Sequence, residues 1–164
     1  MTSKEKPPIT LAIRELQNHG VKFESHLFTY EEKGGSAVSS RELGISEHSV
    51  VKTLIMETET KEPLVILMHG DMQVSTKQMA REMGVKTVAP CKPEVADRHS
   101  GYQVGGTSPF GTKRKMPIYM EKSILDLDLI YINGGKRGYL VSMSPQEVVR
   151  VLQPHIVSVG ISKV

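Results

Sequence analysis

The chain has one cysteine, Cys91, and no tryptophan, and aromatic residues make up only 5% of its 164 positions. A lone thiol cannot close an internal disulfide, and it argues against a cysteine metal cluster. So few rings argue against a platform on which nucleic-acid bases could stack. No run of about 18 apolar residues occurs, so no membrane-spanning helix is expected. The start, Met1-Thr2-Ser3-Lys4-Glu5-Lys6, is charged and leads into no apolar signal core, which makes the cytoplasm the expected location. Six histidines are present, His19, His26, His48, His69, His99 and His155, but none falls into H-E-x-x-H or a paired metal spacing. No metal and no cofactor is therefore expected. Also missing are the G-x-S-x-G elbow of a serine hydrolase and the glycine motifs that open a nucleotide-binding helix after a strand.

Charged residues at 24% and apolar residues at 38% suit a globular chain of one domain, expected to span residues 1–164. The net charge of +3 permits contact with nucleic acid without demanding it. The most distinctive stretch is Gly101-Tyr102-Gln103-Val104-Gly105-Gly106-Thr107-Ser108-Pro109-Phe110-Gly111, followed by the basic run Lys113-Arg114-Lys115. A loop of this composition is either a plain turn or a cradle that aims backbone N–H groups at an incoming oxygen. A second glycine turn follows at Asn133-Gly134-Gly135-Lys136-Arg137-Gly138.

Periodicity predicts a helix opened by Pro7-Pro8, with Ile9, Ala12, Ile13 and Leu16 on one face and a stop at Gly20. Val21 to Thr29 reads as a strand, and Ser36 to Leu43 as a short helix closed by Gly44. Val50 to Glu57 and Leu64 to His69 read as a hairpin whose second strand is central, since Leu64 to Met68 are apolar on both faces. In the first strand, Val50, Lys52, Leu54 and Met56 share a face. Lys52 interrupts that apolar row. Either its stem packs while the ammonium reaches water, or the ammonium is held in a pocket where it attracts an anion or a carbonyl oxygen.

Further helices are expected from Ser75 to Met83, from Pro93 to Arg98 and after Ser144, where Pro145 and Glu147 complete a capping pattern. Strands are expected over Val85 to Ala89, Ile118 to Met120, Leu129 to Ile132, Tyr139 to Ser142 and His155 to Ile161. The fold class is α/β, a single domain with a mixed, mostly antiparallel, barrel-like sheet and helices packed outside. Cys91 at a helix mouth reads as inert, because no histidine motif accompanies it. What remains is polarising chemistry: a lysine and backbone donors around a small acyl group, with the nucleophile supplied from elsewhere.

Val51-Lys52-Thr53-Leu54, the loop from Gly101 to Gly111, and Tyr131-Ile132-Asn133-Gly134-Gly135-Lys136-Arg137-Gly138 together resemble the YbaK/EbsC family of aminoacyl-tRNA deacylases. That family is related to the editing domain inserted in bacterial prolyl-tRNA synthetases. The similarity runs from about Leu11 to Val159. It implies a trans-editing enzyme that deacylates mischarged tRNA(Pro), chiefly Cys-tRNA(Pro). The substrate's own thiol would attack the ester, and a cyclic thioester would leave.

The alternatives are a deacylase for Ala- or Ser-tRNA, or a tRNA- or nucleotide-binding module without turnover. By resemblance, Lys52, Gly105 and Gly106 carry catalysis, and Tyr30, Thr53, Ser108, Pro109, Asn133, Gly134 and Gly135 line the substrate site. Lys113, Arg114, Lys115, Lys136 and Arg137 would meet the phosphates of the acceptor end. The partners implied are the acceptor end of mischarged tRNA and prolyl-tRNA synthetase, with no membrane. The chain departs from the family pattern at Asn133, around Cys91-Lys92 and over Glu31 to Ser36, which bears on amino acid specificity.

Overall fold

The computed structural model describes residues 6–163; the first five residues of the charged start, and Val164, lie outside the described residues. The first helix, α1 (Leu11–Asn18), buries Ala12, Ile13 and Leu16. It starts later than Pro7-Pro8 implies, because the Thr10 hydroxyl accepts the Ile13 N–H at 3.1 Å and caps the helix there. Ile9 is consequently outside the packed face, at 72% exposure.

The strand expected from Val21 to Thr29 is shorter, β1 (Glu24–Leu27). Val21 is used otherwise: its N–H closes the end of α1 on the Leu16 carbonyl. Helix α2 (Gly35–Leu43) ends at Gly44 in the left-handed region, and a 3₁₀ turn, Glu47–Ser49, capped by Ser46, leads into the sheet.

Strand β2 (Val50–Thr58) and β3 (Pro63–His69) form the expected hairpin. Then follow β4 (Met72–Val74), α3 (Thr76–Met83), β5 (Val88–Pro90) and α4 (Pro93–Ser100). The glycine loop leads to β6 (Ile118–Glu121) and a 3₁₀ turn over Lys122–Asp126. The chain closes with β7 (Ile130–Lys136), β8 (Tyr139–Met143), α5 (Pro145–Leu152), β9 (His155–Val157) and β10 (Gly160–Ser162).

The main sheet runs β1-β8-β7-β2-β3-β6-β9, with β5 also on β2; β10 and β4 form a separate pair. Four pairings in the main sheet are antiparallel and three parallel, which is the mixed sheet that the hairpins and dispersed helices imply. Its path is open, with β1 and β9 at the ends.

Strand β3 is central, as its unbroken apolar run requires. Val65 and Leu67 join one core with Ala12, Leu16, Ile132 and Val148, under α1, α4 and α5. Leu64, Ile66 and Met68 join a second core with Met79, Ala80 and Val157, under α3. A one-residue slip of β2 on β3 would exchange these faces, so both cores fix the register and with it the direction of Lys52.

The single strand expected from His155 to Ile161 is broken in two. Buried Glu121 is the cause: its Oε1 accepts the N–H groups of Val159 and Gly160, both at 2.8 Å. The carboxylate takes the donors that would have continued β9 on β6, and the chain crosses to pair with β4 instead. Strand β4 has no counterpart in the sequence reading because its three residues pair only with this diverted end.

Charge-assisted bonds of this kind contribute roughly 1.5–3 kcal/mol each, and orphaning buried donors adds to the loss. Glu121→Ala is therefore expected to lower unfolding free energy by about 3 kcal/mol in urea titration. Fast amide exchange at Val159 and Gly160 should accompany it; unchanged exchange there would remove the clamp from the account.

Candidate active site

Strand β2 is paired with β3 along almost its whole length, but its other edge is interrupted. The parallel ladder to β7 stops at Val51↔Ile132, and the ladder to β5 begins only at Met56↔Pro90. The Val50 carbonyl accepts the Gly70 N–H beside β3, whereas the Ile55 carbonyl accepts the Cys91 N–H on the opposite edge. Backbone directions alternate along a strand. The Thr53 peptide groups therefore face the interruption. There the chain leaves a cavity of about 470 Å³, and its lining includes Tyr30, Lys52, Thr53, Cys91, Gly105 and Asn133. Lys52 and both glycine turns thus meet at one recess.

Lys52 lies opposite Met68 and keeps the face read from the sequence, with Leu54 opposite Ile66 and Met56 opposite Leu64. It is half-buried and makes no ion pair among the described residues. Burial lowers its pKa below 10.5; the Lys163 ammonium lowers it further, while Glu47 and Asp71 act against both. Lys52 lines the cavity, and burial disfavours its charged form.

The mouth beside it is ordered by Ser36, whose single hydroxyl proton is shared between Glu47 Oε2 at 2.7 Å and the Gly70 carbonyl at 3.0 Å. Lys163 reaches the same Glu47 carboxylate at 3.5 Å. No local motif marks Ser36, Glu47 or Lys163 in the sequence. They become neighbours only through the α2 packing and the diverted C-terminal strand.

The first glycine loop is a stapled object. Tyr102 donates its hydroxyl to the Phe110 carbonyl across the loop base, and burial pushes its pKa up to about 12. The Val104 N–H donates to Asp97 of α4 at 2.9 Å. Arg137 Nε donates to the Val104 carbonyl at 2.9 Å, and Asn133 Nδ2 to the Gly105 carbonyl at 3.2 Å. The Gly106 N–H donates to Gln103 at 2.7 Å. Among Val104, Gly105 and Gly106, only the Gly105 N–H has no partner among the described residues.

This corrects the expectation that Gly106 shares in catalysis through its backbone N–H, since that amide is consumed inside the turn. Its glycine identity has another reason: a Cβ there would stand 2.6 Å from the Arg137 nitrogen. Gly105 needs glycine twice over, for its φ of +93° and because a Cβ would meet the Tyr30 hydroxyl at 2.6 Å.

Other expected contacts are also displaced. Ser108 is fully buried and its hydroxyl accepts the Phe110 N–H, so it shapes the loop, and neither it nor Pro109 lines the cavity. Gly134 packs on the Tyr139 ring and Gly135 on Tyr102 and Thr10, which places them behind the site. Asn133 does line the cavity, and its Oδ1 accepts the Gly135 and Lys136 N–H groups at 2.6 and 3.1 Å. Thr53 lines it too, but its hydroxyl oxygen is sealed from solvent and without a partner.

The five basic residues do not form one cluster. Lys136 and Arg137 sit on the turn beside the glycine loop, whereas Arg114 and Lys115 lie against Thr58, Glu62 and Pro63 at the far end of β2. Thr58 is six residues along the strand from Lys52, roughly 20 Å at strand rise. Lys113 is held against Gly101, with its N–H on the Ser100 carbonyl.

A protein nucleophile is not in evidence at the cavity. Cys91 lines it, but burial and the Glu57 carboxylate raise the thiol to about 11, and Sγ lies 3.7 Å from that carboxylate. No histidine lines it among the described residues. The ligand-like group His48, His69 and Asp71 lies outside it. There His69 spends both ring nitrogens, Nδ1 donating to the His48 carbonyl and Nε2 bonded to Ser123, and its ring stacks on His48 at 3.7 Å. His48 in turn bonds Asp71 through its Nδ1 at 2.9 Å. The cavity is thus lined by Lys52 and by Gly105, whose N–H has no partner among the described residues.

Because the folded Lys52 pKa lies below its unfolded value, the lysine costs stability at neutral pH and the cost fades as pH rises through the folded value. Lys52→Met is expected to leave the unfolding midpoint at pH 7 unchanged or higher. Removing Lys163 takes away a neighbouring positive charge, so Lys163→Ala should move the Lys52 titration upward, read by carbon-13 NMR of the lysine Cε. A downward move would reverse the assigned electrostatics.

Comparison with known proteins gives the family. The chain matches a protein of Enterococcus faecalis, provisionally named Cys-tRNA(Pro)/Cys-tRNA(Cys) deacylase EbsC, with 29% identity over 90% of this chain and 91% of that one. It matches a proline--tRNA ligase of Thermodesulfovibrio yellowstonii with 31% identity over 69% of this chain and 19% of that much longer one. Its fold superposes on the crystal structure of hypothetical protein APE2540 with a TM-score of 0.85, at 21% identity, over 93% of this chain and all of that one. A structure described provisionally as a trans-editing enzyme for prolyl tRNA synthetase gives 0.78, at 18% identity, over 94% of this chain and 100% of that one. No described helix is long and apolar enough to cross a membrane. The sequence profile of the aminoacyl-tRNA editing domain matches residues 31–151, and the chain belongs to that family of aminoacyl-tRNA deacylases.

Proposed function

We propose that the protein deacylates mischarged tRNA(Pro), chiefly Cys-tRNA(Pro), acting in trans to prolyl-tRNA synthetase. The observation that carries this reading is that half-buried Lys52 and Gly105, whose N–H has no partner, line one cavity with no activated nucleophile among its described lining residues. At about 470 Å³ the cavity is of a size that takes a small ligand such as an aminoacylated terminal nucleoside. The name of the Enterococcus faecalis relative supports cysteine as the amino acid removed.

In this mechanism the ester carbonyl oxygen lies against the Gly105 N–H. Lys52 adds a positive potential that grows in value as negative charge develops on that oxygen. The cysteine sulfur bonds to its own carbonyl carbon, and the bond from that carbon to the ribose oxygen breaks. The thiol proton ends on the ribose oxygen, and the amino acid leaves as a cyclic thioester. The raised pKa of Cys91 keeps the protein's own thiol out of the exchange. Lys136, exposed on the turn beside the glycine loop, would meet a phosphate of the acceptor end.

The test is a panel of Cys-, Ala- and Ser-tRNA(Pro) with loss of label followed against buffer. Cys-tRNA(Pro) is expected to be cleared fastest; faster loss of alanine or serine would change the substrate. Binding without turnover on every member would leave a recognition module in place of an enzyme. Lys52→Ala should lower the rate on Cys-tRNA(Pro) by about 100-fold or more, the range for removing one stabilising group. The wild-type rate should also fall as pH rises through the lowered Lys52 pKa, because the ammonium is the active form.

A further inference from the structure

We propose that Arg137 is a positioning residue that aims the Gly105 N–H at the reacting carbonyl; this rests on the deacylase reading above. The resemblance gave Arg137 to a tRNA phosphate. The structure gives its guanidinium three other occupations. Nε donates to the Val104 carbonyl at 2.9 Å, the guanidinium carbon lies 4.9 Å from the centre of the Tyr30 ring, and Nη1 stands 3.7 Å from Glu32 Oε2. Its side chain is 28% exposed, against 72% for Glu32.

The peptide plane carries the consequence. In a trans peptide the N–H of one residue points opposite to the carbonyl of the residue before it. The Val104 carbonyl and the Gly105 N–H belong to one such plane. Gripping the carbonyl from the Arg137 side therefore sets the direction of the N–H on the other side, the only amide of Val104 to Gly106 left without a partner among the described residues. The next plane is held as well, since Asn133 Nδ2 donates to the Gly105 carbonyl. With φ of +93° and no side chain, Gly105 has no conformational preference of its own to hold that orientation. The Gly106 N–H closes the turn on Gln103 and Asp97 holds the Val104 N–H, while Arg137 and Asn133 grip the two carbonyls from outside and bias which way the central plane faces. Tyr30 and Glu32 flank the guanidinium, whose planar donor fork a lysine ammonium cannot reproduce.

Two roles for Arg137 make opposite demands, and a substrate without phosphates separates them. The assay compares wild type, Arg137→Lys and Asn133→Ala on Cys-tRNA(Pro) and on 3′-cysteinyl adenosine, whose only ester is the scissile one. Arg137→Lys keeps the positive charge for a phosphate but loses the planar donor. A positioning role predicts that it lowers kcat on both substrates by about 10- to 100-fold, with KM changed less than about twofold and the melting temperature held. Asn133→Ala should lower kcat on both in the same way. Full activity of Arg137→Lys on the adenosine ester, with any defect confined to KM on tRNA and to its salt dependence, overturns the proposal and returns Arg137 to phosphate binding. A loss of kcat that tracks a fallen melting temperature in Arg137→Lys, with Asn133→Ala stable and fully active, also overturns it. Wild-type protein that clears neither substrate is a different outcome, because it strikes the deacylase reading itself.

Discussion

The site exists because β2 is left without a neighbour for part of one edge. A strand inside a sheet normally satisfies both of its edges, and an interruption leaves peptide groups that must find another partner. Here the ladder to β7 and the ladder to β5 are separated by the stretch around Thr53, and the cavity occupies the interval. The unbroken ladder from β2 to β3 makes this tolerable, since β3 is buried on both faces and anchors the register. Lys52 can then be held half out of water without the strand slipping to release it.

The electrostatics follow from that geometry. A lysine on an apolar row is disfavoured in its charged form, and a second ammonium at Lys163 deepens the effect. Glu47 and Asp71 offset part of it, and Glu47 is itself steadied by Ser36. The result is a lysine on the cavity lining whose charged form the surroundings disfavour on balance. Cys91 shows the opposite arrangement on the same cavity, where burial and a neighbouring carboxylate hold a thiol in its neutral form. One lining thus contains an acid kept protonated and a base kept short of counter-ions, which suits the stabilisation of charge on a substrate more than attack by the protein.

How much of this was legible in the sequence depends on the range of the signal. Lys52 could be placed on its face because strand alternation is local, and Leu64 to Met68 announced a central strand by composition alone. The turns could be found from their glycines. What the glycines are for could not: Gly105 keeps an amide free, whereas Gly106 only lets Arg137 come close, and both look alike in the chain. The basic residues read as one cluster because they flank glycines in sequence, yet the sheet separates Arg114 and Lys115 from Lys136 and Arg137. The diverted strand β10 was hidden for the same reason, as it depends on Glu121, a residue 38 positions from the first amide it captures.

The close approach of Gly106 to the Arg137 backbone joins the two turns mechanically. With no room for even a methyl group between them, neither can change shape by itself, and together they behave as one rigid rim. The remaining walls of the cavity, contributed by α2, β5 and α4, are not bound by that contact, so a side chain there can change size without moving the rim.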